Sequence, residues 1–366
     1  MIRFDRVTKA YPGGTIAVDD LTLEVPQGQI TVLVGPSGCG KTTSLRMVNR
    51  MVEPTSGTIA LDGTDTASMS QTELRRGIGY VIQHGGLFPH LTVERNVMTV
   101  PKLLGWSTSK ARERARELLE VVGLGADLGG RYPAQLSGGQ QQRVGVARAL
   151  AADPPVLLMD EPFSAVDPVV RDGLQDELLT LQEQLHKTIL LVTHDIDEAV
   201  KLGNQVAVLR VGGRLAQVDA PARLLAEPTD DFVASFVGRD RGYRSLAFQG
   251  ADIPLHSEPT ARLGEAPGGA EWVLVVDDEG RPQGWVRGDQ AGGRPIGPDD
   301  LRLGGTLAQR GGTLRAYLDA ALSSPSRRGV VVDDDGVLAG VVHPGEVLDV
   351  IESAGRAGVD EDGGVP

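Results

Sequence analysis

Short apolar runs recur along the first two-thirds of the chain and indicate buried strands. Residues 30–34 and 156–159 are continuous apolar stretches, which is typical of parallel strands covered on both faces. Residues 78–82 and 189–192 have the same character. A glycine-rich loop follows the first run, and a helix is predicted after it from apolar Leu45, Val48 and Met51. This strand–loop–helix order predicts an α/β domain.

The last third of the chain contains one pattern twice. Residues 273–286 and 330–342 each combine an apolar strand, an acidic turn with glycine and a returning strand, which predicts a β-hairpin. Equivalent positions are 56 residues apart, namely Asp277 and Asp333, and Gly284 and Gly340. Residues 313–322 have helical spacing and precede the second hairpin. These features predict a second domain that starts near residues 238–245, after a helical segment at 230–237.

Length, composition and charge narrow the class of protein. The chain has 366 residues with 40% hydrophobic content, which suits two or three folded domains and excludes global disorder. A net charge of −13 argues against nucleic acid as a partner. No apolar stretch approaches the length of a membrane-spanning helix, and the charged N-terminus does not resemble a signal peptide. One cysteine, Cys39, excludes an internal disulfide framework. We therefore expect a soluble, cytoplasmic chain.

Residues 35–42, Gly-Pro-Ser-Gly-Cys-Gly-Lys-Thr, match the phosphate-loop pattern G-x-x-x-x-G-K-[ST] between a predicted strand and a predicted helix. Glycines allow backbone N–H groups to converge on phosphate oxygens, and the helix N-terminus adds its positive end. Lys41 would reach the β- and γ-phosphates, and the Thr42 hydroxyl would ligate Mg²⁺. The alternative is a glycine-rich turn with a chance lysine, which this flanking context disfavours. The motif thus predicts a nucleotide site.

Two acidic residues end the apolar run at 156–159. Asp160 occupies the C-terminal end of a predicted parallel strand, where ligands bind in α/β sheets. We expect Asp160 to act on the Mg²⁺ side through water, and Glu161 to polarise the attacking water as a general base. The alternative is a solvated acidic pair at a strand end. The phosphate loop upstream favours the functional interpretation.

Residues 136–140, Leu-Ser-Gly-Gly-Gln, begin a predicted helix between the phosphate loop and the acidic strand end. This segment resembles the signature of ABC-type ATPases, with Ser137 as the helix cap and Gly138 and Gly139 leaving backbone N–H groups free for an anion. The resemblance covers residues 1–238. It implies a P-loop NTPase fold of ABC type, with a mixed sheet core and a helical subdomain, that binds ATP and Mg²⁺.

The resemblance also implies roles for residues in neighbouring loops. Gln83 resembles the Q-loop glutamine, which contacts Mg²⁺ and the attacking water. Asp167 lies in a segment similar to the D-loop, and His194 resembles the switch histidine that touches the γ-phosphate. Tyr11 matches the aromatic residue that stacks on adenine. The implied nucleotide-binding set is Tyr11, Gly35, Pro36, Ser37, Gly38, Cys39, Gly40, Lys41, Thr42, Thr43, Ser137, Gly138, Gly139, Gln140 and Asp167. The implied catalytic residues are Glu161, His194 and Gln83, and the implied metal ligands are Thr42, Gln83 and Asp160.

The resemblance implies partners as well. In this family two copies pack head to tail, so that ATP lies between the phosphate loop of one and the signature of the other. A single ATPase unit without a membrane span is similar to the separate subunit of an importer. Such a subunit works with transmembrane permease subunits and an extracytoplasmic substrate-binding protein. We therefore expect a homodimer held at the cytoplasmic face of the membrane through its permease.

Local resemblance at residues 45–57 and 78–83 points to the ATPases of quaternary-amine importers, which transport glycine betaine, choline, carnitine or proline betaine. The repeated hairpins at 239–354 resemble a degenerate tandem pair of cystathionine-β-synthase-type (CBS) units of α+β structure, followed by a flexible tail at 355–366. Residues 239–366 have 13 arginines and 21 acidic residues, which disfavours a lipid-binding salt sensor. An importer ATPase for another solute, such as an amino acid, remains an alternative. A soluble ABC ATPase without a permease is a further one.

Overall fold

The computed structural model describes residues 1–82, 86–164, 166–250, 252–291 and 293–360. The chain divides into two compact units, Met1–Arg239 and Asp240–Pro366. No helix of the described residues is both long and apolar enough to cross a lipid bilayer.

Two sheets form the framework of the first unit. Its strands are β1 (Ile2–Ala10), β2 (Ile16–Val25), β3 (Ile30–Val34), β4 (Ser56–Leu61), β5 (Thr64–Asp65), β6 (Ile78–Val81), β7 (Val156–Asp160), β8 (Thr188–Val192), β9 (Gln205–Arg210) and β10 (Arg214–Asp219). An antiparallel sheet has the order β2-β1-β4-β5, and a six-stranded sheet has the order β10-β9-β3-β8-β7-β6. In the six-stranded sheet only the β9–β10 pair is antiparallel. The predicted mixed sheet core is therefore confirmed.

The central strands are buried because each is apolar on both faces. Every residue of β3, β7 and β8 is buried, as the continuous apolar runs predict. The parallel registers place Leu33 of β3 opposite Val192 of β8, and Asp160 of β7 opposite the same Val192. The C-terminal ends of these three strands therefore meet at one edge of the sheet.

Some helices cover the six-stranded sheet, and others form a separate group. The helices of the first unit are α1 (Lys41–Val48), α2 (Gln71–Arg76), α3 (Val93–Leu103), α4 (Thr108–Val121), α5 (Gly138–Leu150), α6 (Pro168–Leu185), α7 (Ile196–Leu202), α8 (Pro221–Ala226) and α9 (Asp231–Val237). Helices α3, α4 and α5 pack on one another. Side chains of Thr92, Ser107 and Ser137 cap their N-termini by accepting backbone N–H bonds. This group is the predicted helical subdomain.

Helix α1 is shorter than the sequence pattern predicts. It ends at Val48, and Asn49 is its C-cap. Arg50 follows with φ +54°, a left-handed conformation that stops the helix. Met51 is consequently outside the helix and 53% exposed, so its predicted place on the apolar face is wrong.

The second unit contains two similar β-hairpins. Its elements are α10 (Arg241–Ser245), β11 (Thr260–Ala261), β12 (Trp272–Val276), β13 (Pro282–Arg287), β14 (Ala308–Gln309), α11 (Leu314–Ser323), β15 (Gly329–Val332), β16 (Leu338–Val342) and α12 (Pro344–Asp360). Strands β12–β13 and β15–β16 are antiparallel hairpins, and each hairpin gains one short parallel strand. The predicted hairpins and the helix before the second one are confirmed. Helix α12 continues to Asp360, beyond the predicted start of a tail at residue 355.

Candidate functional site

The loop between β3 and α1 brings backbone amides together at the start of a helix. Gly38 and Gly40 have φ values of +76° and +88°, which glycine adopts without the steric cost that a Cβ brings. A Cβ on Gly40 would lie 2.1 Å from the carbonyl oxygen of Ala17 in β2, and a Cβ on Gly35 would lie 2.3 Å from that of Leu209. The loop therefore fits against β2 and β9 only when these positions carry no side chain.

Lys41 occupies the first position of α1 and folds back over the loop. Its side-chain Nζ donates to the carbonyl oxygens of Gly35 at 2.7 Å and Pro36 at 3.1 Å, and the residue is 6% exposed. The Cys39 sulfur lies 3.7 Å from the same nitrogen. Burial raises the pKa of the Cys39 thiol, so this cysteine is a packed neutral group beside the lysine.

Thr42 and Asp160 form the oxygen-rich part of the site. The Thr42 hydroxyl donates to Asp160 Oδ1 at 2.9 Å, and Asp160 is 4% exposed at the end of β7. The other carboxylate oxygen accepts from the Tyr80 hydroxyl at 3.4 Å and lies 3.7 Å from Arg46 Nη2. Burial, and then the charge of Asp160, raise the pKa of Tyr80. The buried carboxylate is therefore held from three sides.

Glu161 and His194 meet across the ends of β7 and β8. The backbone N–H of Glu161 donates to the carbonyl oxygen of Val192 at 2.9 Å, which ties the two strand ends together. His194 Nδ1 lies 3.3 Å from Glu161 Oε2. Glu161 has φ +46°, a left-handed conformation that glutamate rarely adopts. The strand ends thus hold a carboxylate and an imidazole in contact.

The loop, Lys41, Thr42, Glu161 and His194 line one cavity of about 650 Å³, whereas Asp160 is not in its lining and reaches it only through Thr42. Its lining residues are Ala17, Gly35, Pro36, Ser37, Gly38, Cys39, Gly40, Lys41, Thr42, Thr43, Glu161, His194 and Phe236. A glycine cradle, a lysine and a helix N-terminus suit a polyphosphate. Among the described residues no group of three His, Cys, Asp or Glu side chains could hold a metal ion. One hydroxyl and one carboxylate fit Mg²⁺, which usually keeps waters and substrate phosphates as its other ligands.

Several predicted site residues lie away from this cavity. Ser137 caps α5, accepting from the Gln140 N–H at 3.3 Å, and Ser137 N–H donates to Gln140 Oε1 at 3.0 Å. The described lining of the cavity includes neither these residues nor Tyr11 or Asp167. Tyr11 is 39% exposed, with Lys9 Nζ 5.2 Å from its ring centre. Gly138 and Gly139, between Ser137 and Gln140, are the first two residues of α5. Gln83 lies outside the described residues.

Three residues of the site belong to no motif in the sequence. Ala17 and Phe236 line the cavity, and Tyr80 contacts Asp160. Ala17 follows no motif, because it contributes through the position of its backbone in β2. Phe236 comes from α9, at the far end of the unit in sequence. Tyr80 had a usable signal, since it belongs to a buried strand whose neighbour in the sheet ends at Asp160.

Comparisons with known proteins agree with the nucleotide site described above. Residues 18–164 match the family model described as "ABC transporter". The osmoprotectant import ATP-binding protein OsmV of Salmonella typhimurium is 44% identical, over 96% of this chain and 97% of that protein. The choline transport ATP-binding protein OpuBA of Bacillus subtilis is 42% identical, over 96% of each chain.

Among solved structures, the ATP-binding cassette MJ0796, a dimer in a post-hydrolysis state bound to ADP and Pi, has a TM-score of 0.55 and 34% identity. It covers 60% of this chain and 99% of the MJ0796 chain. The shared region is therefore the cassette, whereas the curated relatives match both units. The chain belongs to the ABC transporter family and is one of its ATP-binding proteins, related along nearly its whole length to those of osmoprotectant and choline transport.

Proposed function

We propose that this chain is the ATP-hydrolysing, energy-coupling subunit of an importer for quaternary-amine osmoprotectants such as glycine betaine, choline and carnitine. The observation that carries the proposal is the extent of the match to OsmV and OpuBA, which runs through 96% of this chain and into the second unit. A cassette shared by all ABC transporters would explain similarity in the first unit alone.

In this proposal the β3–α1 loop holds the triphosphate. Backbone N–H groups of residues 35–43, apart from Pro36, which has none, bind the phosphate oxygens together with the N-terminus of α1. Lys41 Nζ, which here rests on two loop carbonyls, turns towards the β- and γ-phosphates. Thr42, and Asp160 through water, would hold Mg²⁺, which would neutralise charge on the phosphates. The Thr42 hydroxyl and the Asp160 carboxylate are 2.9 Å apart, which is close enough for both to act on one ion. We assign Gln83 to the same metal from the family resemblance.

Glu161 and His194 are the residues we assign to hydrolysis. Glu161 is the general base that orients a water molecule and accepts its proton. His194, in contact with Glu161 Oε2, orients this carboxylate and donates to the γ-phosphate side of the cavity. Both residues line the same cavity as the phosphate loop, and this placement supports the assignment.

We further propose that the working form is a homodimer. Residues 137–140 and Asp167 lie away from the cavity of their own chain, so a second copy must supply the signature that covers the nucleotide. The dimer described for MJ0796 supports this arrangement. Tyr11 would stack on adenine from the exposed loop after β1. Binding of the γ-phosphate then closes the dimer, and hydrolysis reopens it.

The remaining partners are proposed from the same relatives. The subunit docks on transmembrane permease subunits at the cytoplasmic face of the membrane, and an extracytoplasmic binding protein delivers the solute. Residues 239–354 would form a degenerate tandem CBS-like regulator, and the two hairpin sheets support a duplicated module. Deletion of residues 240–366 should leave basal ATP hydrolysis intact and change its dependence on salt.

The experiment for substrate class is uptake in a strain that lacks this chain. Cells under salt stress receive labelled glycine betaine, choline, carnitine or glutamine, with either the native chain or Lys41→Ala restored. We expect the native chain alone to restore uptake of the quaternary amines. Restored glutamine uptake without betaine uptake would replace the proposed substrate class by amino acids. Uptake of no solute by either strain would contradict the transport function.

A further inference from the structure

Two basic residues, Lys201 and Arg171, make ion pairs between α6 and the α7 region, and they contact different parts of it. Lys201 on α7 contacts Asp172 Oδ1 at 2.5 Å and Asp176 Oδ1 at 2.8 Å on α6. Arg171, in the first turn of α6, faces the N-terminal end of α7 instead. That end directly follows His194. The two basic residues therefore connect the same helices, but only Arg171 reaches the loop of the site.

Arg171 contacts both loops that leave the sheet beside the cavity. Its Nη2 donates to the carbonyl oxygen of Val166 at 3.2 Å, in the segment between β7 and α6. Its Nη1 lies 3.7 Å from Asp195 Oδ2, and its Nε lies 3.9 Å from Glu198 Oε1. One guanidinium therefore links the two segments, with one hydrogen bond to the first and two longer ion pairs to the second.

The acids that Arg171 faces hold the backbone on either side of His194. Asp195 caps α7 by accepting from Asp197 N–H at 2.8 Å and from Glu198 N–H at 3.4 Å. The Thr193 hydroxyl donates to Glu198 Oε2 at 2.6 Å and accepts from Asp195 N–H at 3.0 Å. The residues before and after His194 are thus both tied to the first turn of α7, and Arg171 completes the connection to α6.

Burial makes this connection sensitive to the loss of the arginine. Glu198 is 4% exposed, and burial raises the pKa of its carboxyl group while Thr193 and Arg171 lower it. The Arg171 Nε is buried and makes no hydrogen bond, so its contact with Glu198 is electrostatic. A buried carboxylate that loses its cation is strongly destabilised. Without Arg171, we expect Glu198 to shift or to take up a proton, and the His194 loop to move with it.

We propose that Arg171 is a positioning residue that couples the segment following Glu161 to the loop of His194, and so sets the Glu161–His194 contact. The proposal rests on the assignment of these two residues to ATP hydrolysis. Arg171 touches neither residue and acts through Val166, Asp195 and Glu198. Arg171 is also not among the residues that line the cavity.

The first test compares Arg171→Met with Arg171→Lys and with Lys201→Met in the full chain. Arg171→Met should lower kcat for ATP by about 10- to 100-fold while KM and binding of a non-hydrolysable ATP analogue change by less than about twofold. Arg171→Lys should restore little of the lost kcat, because an ammonium group cannot contact all three partners at once. Lys201→Met removes the two ion pairs of Lys201 with α6 and should keep kcat within about twofold. Equal losses for Lys201→Met and Arg171→Met would overturn the proposal in favour of simple helix packing.

The second test measures the coupling directly. In a His194→Ala background, Arg171→Met should add less than about a twofold further loss, since residues acting through one another are not additive. Independent of activity, the ring resonances of His194 in histidine-labelled protein should shift in Arg171→Met and not in Lys201→Met. Unshifted His194 resonances or a fully additive loss would refute the role of Arg171. If the native chain did not hydrolyse ATP, the proposed function would be refuted instead. The His194 resonances would still test whether Arg171 positions the His194 loop.

Discussion

Replacing Glu161 by glutamine removes the carboxylate charge and keeps the shape of the side chain. The backbone bond from Glu161 N–H to Val192 does not involve the side chain, so the strand ends should stay together. The amide oxygen can still accept from His194, 3.3 Å away. The fold, the phosphate loop and the Thr42–Asp160 contact should therefore survive, and only the proton acceptor is lost.

The expected magnitude follows from that single loss. General-base catalysis contributes about 10²- to 10⁴-fold, which corresponds to about 3–5 kcal/mol of activation free energy. We expect kcat for ATP hydrolysis to fall by this factor, while affinity for ATP changes by less than about twofold because the phosphate contacts remain. Since hydrolysis reopens the proposed dimer, Glu161→Gln should accumulate as an ATP-bound dimer.

Phosphate release with Mg²⁺ and ATP gives kcat and KM, and gel filtration with ATP reports the dimer. Glu183→Gln is a matched control, because it makes the same exchange at an exposed position of α6. It should leave both readouts unchanged. Undiminished turnover in Glu161→Gln would exclude Glu161 as the base. A drop in ATP affinity as large as the drop in kcat would show that the carboxylate serves binding instead.

Three further predictions test other parts of the structure. Thr42→Val should raise the Mg²⁺ concentration needed for half-maximal ATPase activity by about 10-fold or more, and an unchanged Mg²⁺ titration would remove this hydroxyl from the metal site. Gly40→Ala and Gly38→Ala both place a Cβ at positive φ, which costs about 1–2 kcal/mol, but only Gly40→Ala also meets a backbone oxygen. It should lower the melting temperature further and weaken ATP binding more than Gly38→Ala; equal effects would contradict the close approach. Hydrogen bonds from Arg294 and a backbone N–H lower the pKa of Asp300 to about 2, so its contribution to stability is present above the ordinary carboxyl pKa and lost as pH falls towards 2. The stability of Asp300→Asn, measured by unfolding between pH 2 and 6, should lack this part of the acid dependence. A stability profile identical to that of the native chain would contradict the prediction.

Local patterns predict the elements of the site well where one motif contains the chemistry. The β3 run, the loop and Lys41 are adjacent in sequence, so their geometry follows from short-range rules. Helix α1 was predicted too long because apolar spacing continues to Met51, whereas the left-handed Arg50 ends the helix. Spacing alone does not report backbone conformation at a single residue.

Contacts between strand ends could not be predicted in the same way. Glu161 meets His194 only because β7 and β8 pair in one particular register, and registers depend on the whole sheet. Arg171 was missed for a related reason. Its partner Val166 lies in the segment after β7, whereas Asp195 and Glu198 belong to the N-cap and the first turn of α7. No sequence motif predicts that these residues meet.

The left-handed backbone of Glu161 is unfavourable for folding, whereas its side chain is needed for the proposed hydrolysis. With φ +46°, this residue costs about 1 kcal/mol or more relative to glycine at the same place. Substitution to glycine would relieve that cost and remove the carboxylate that contacts His194. A library selected for thermal stability alone should therefore enrich glycine or asparagine at this position, and a library selected for growth on the transported solute should retain glutamate. The two selections would separate what the chain needs to fold from what it needs to work.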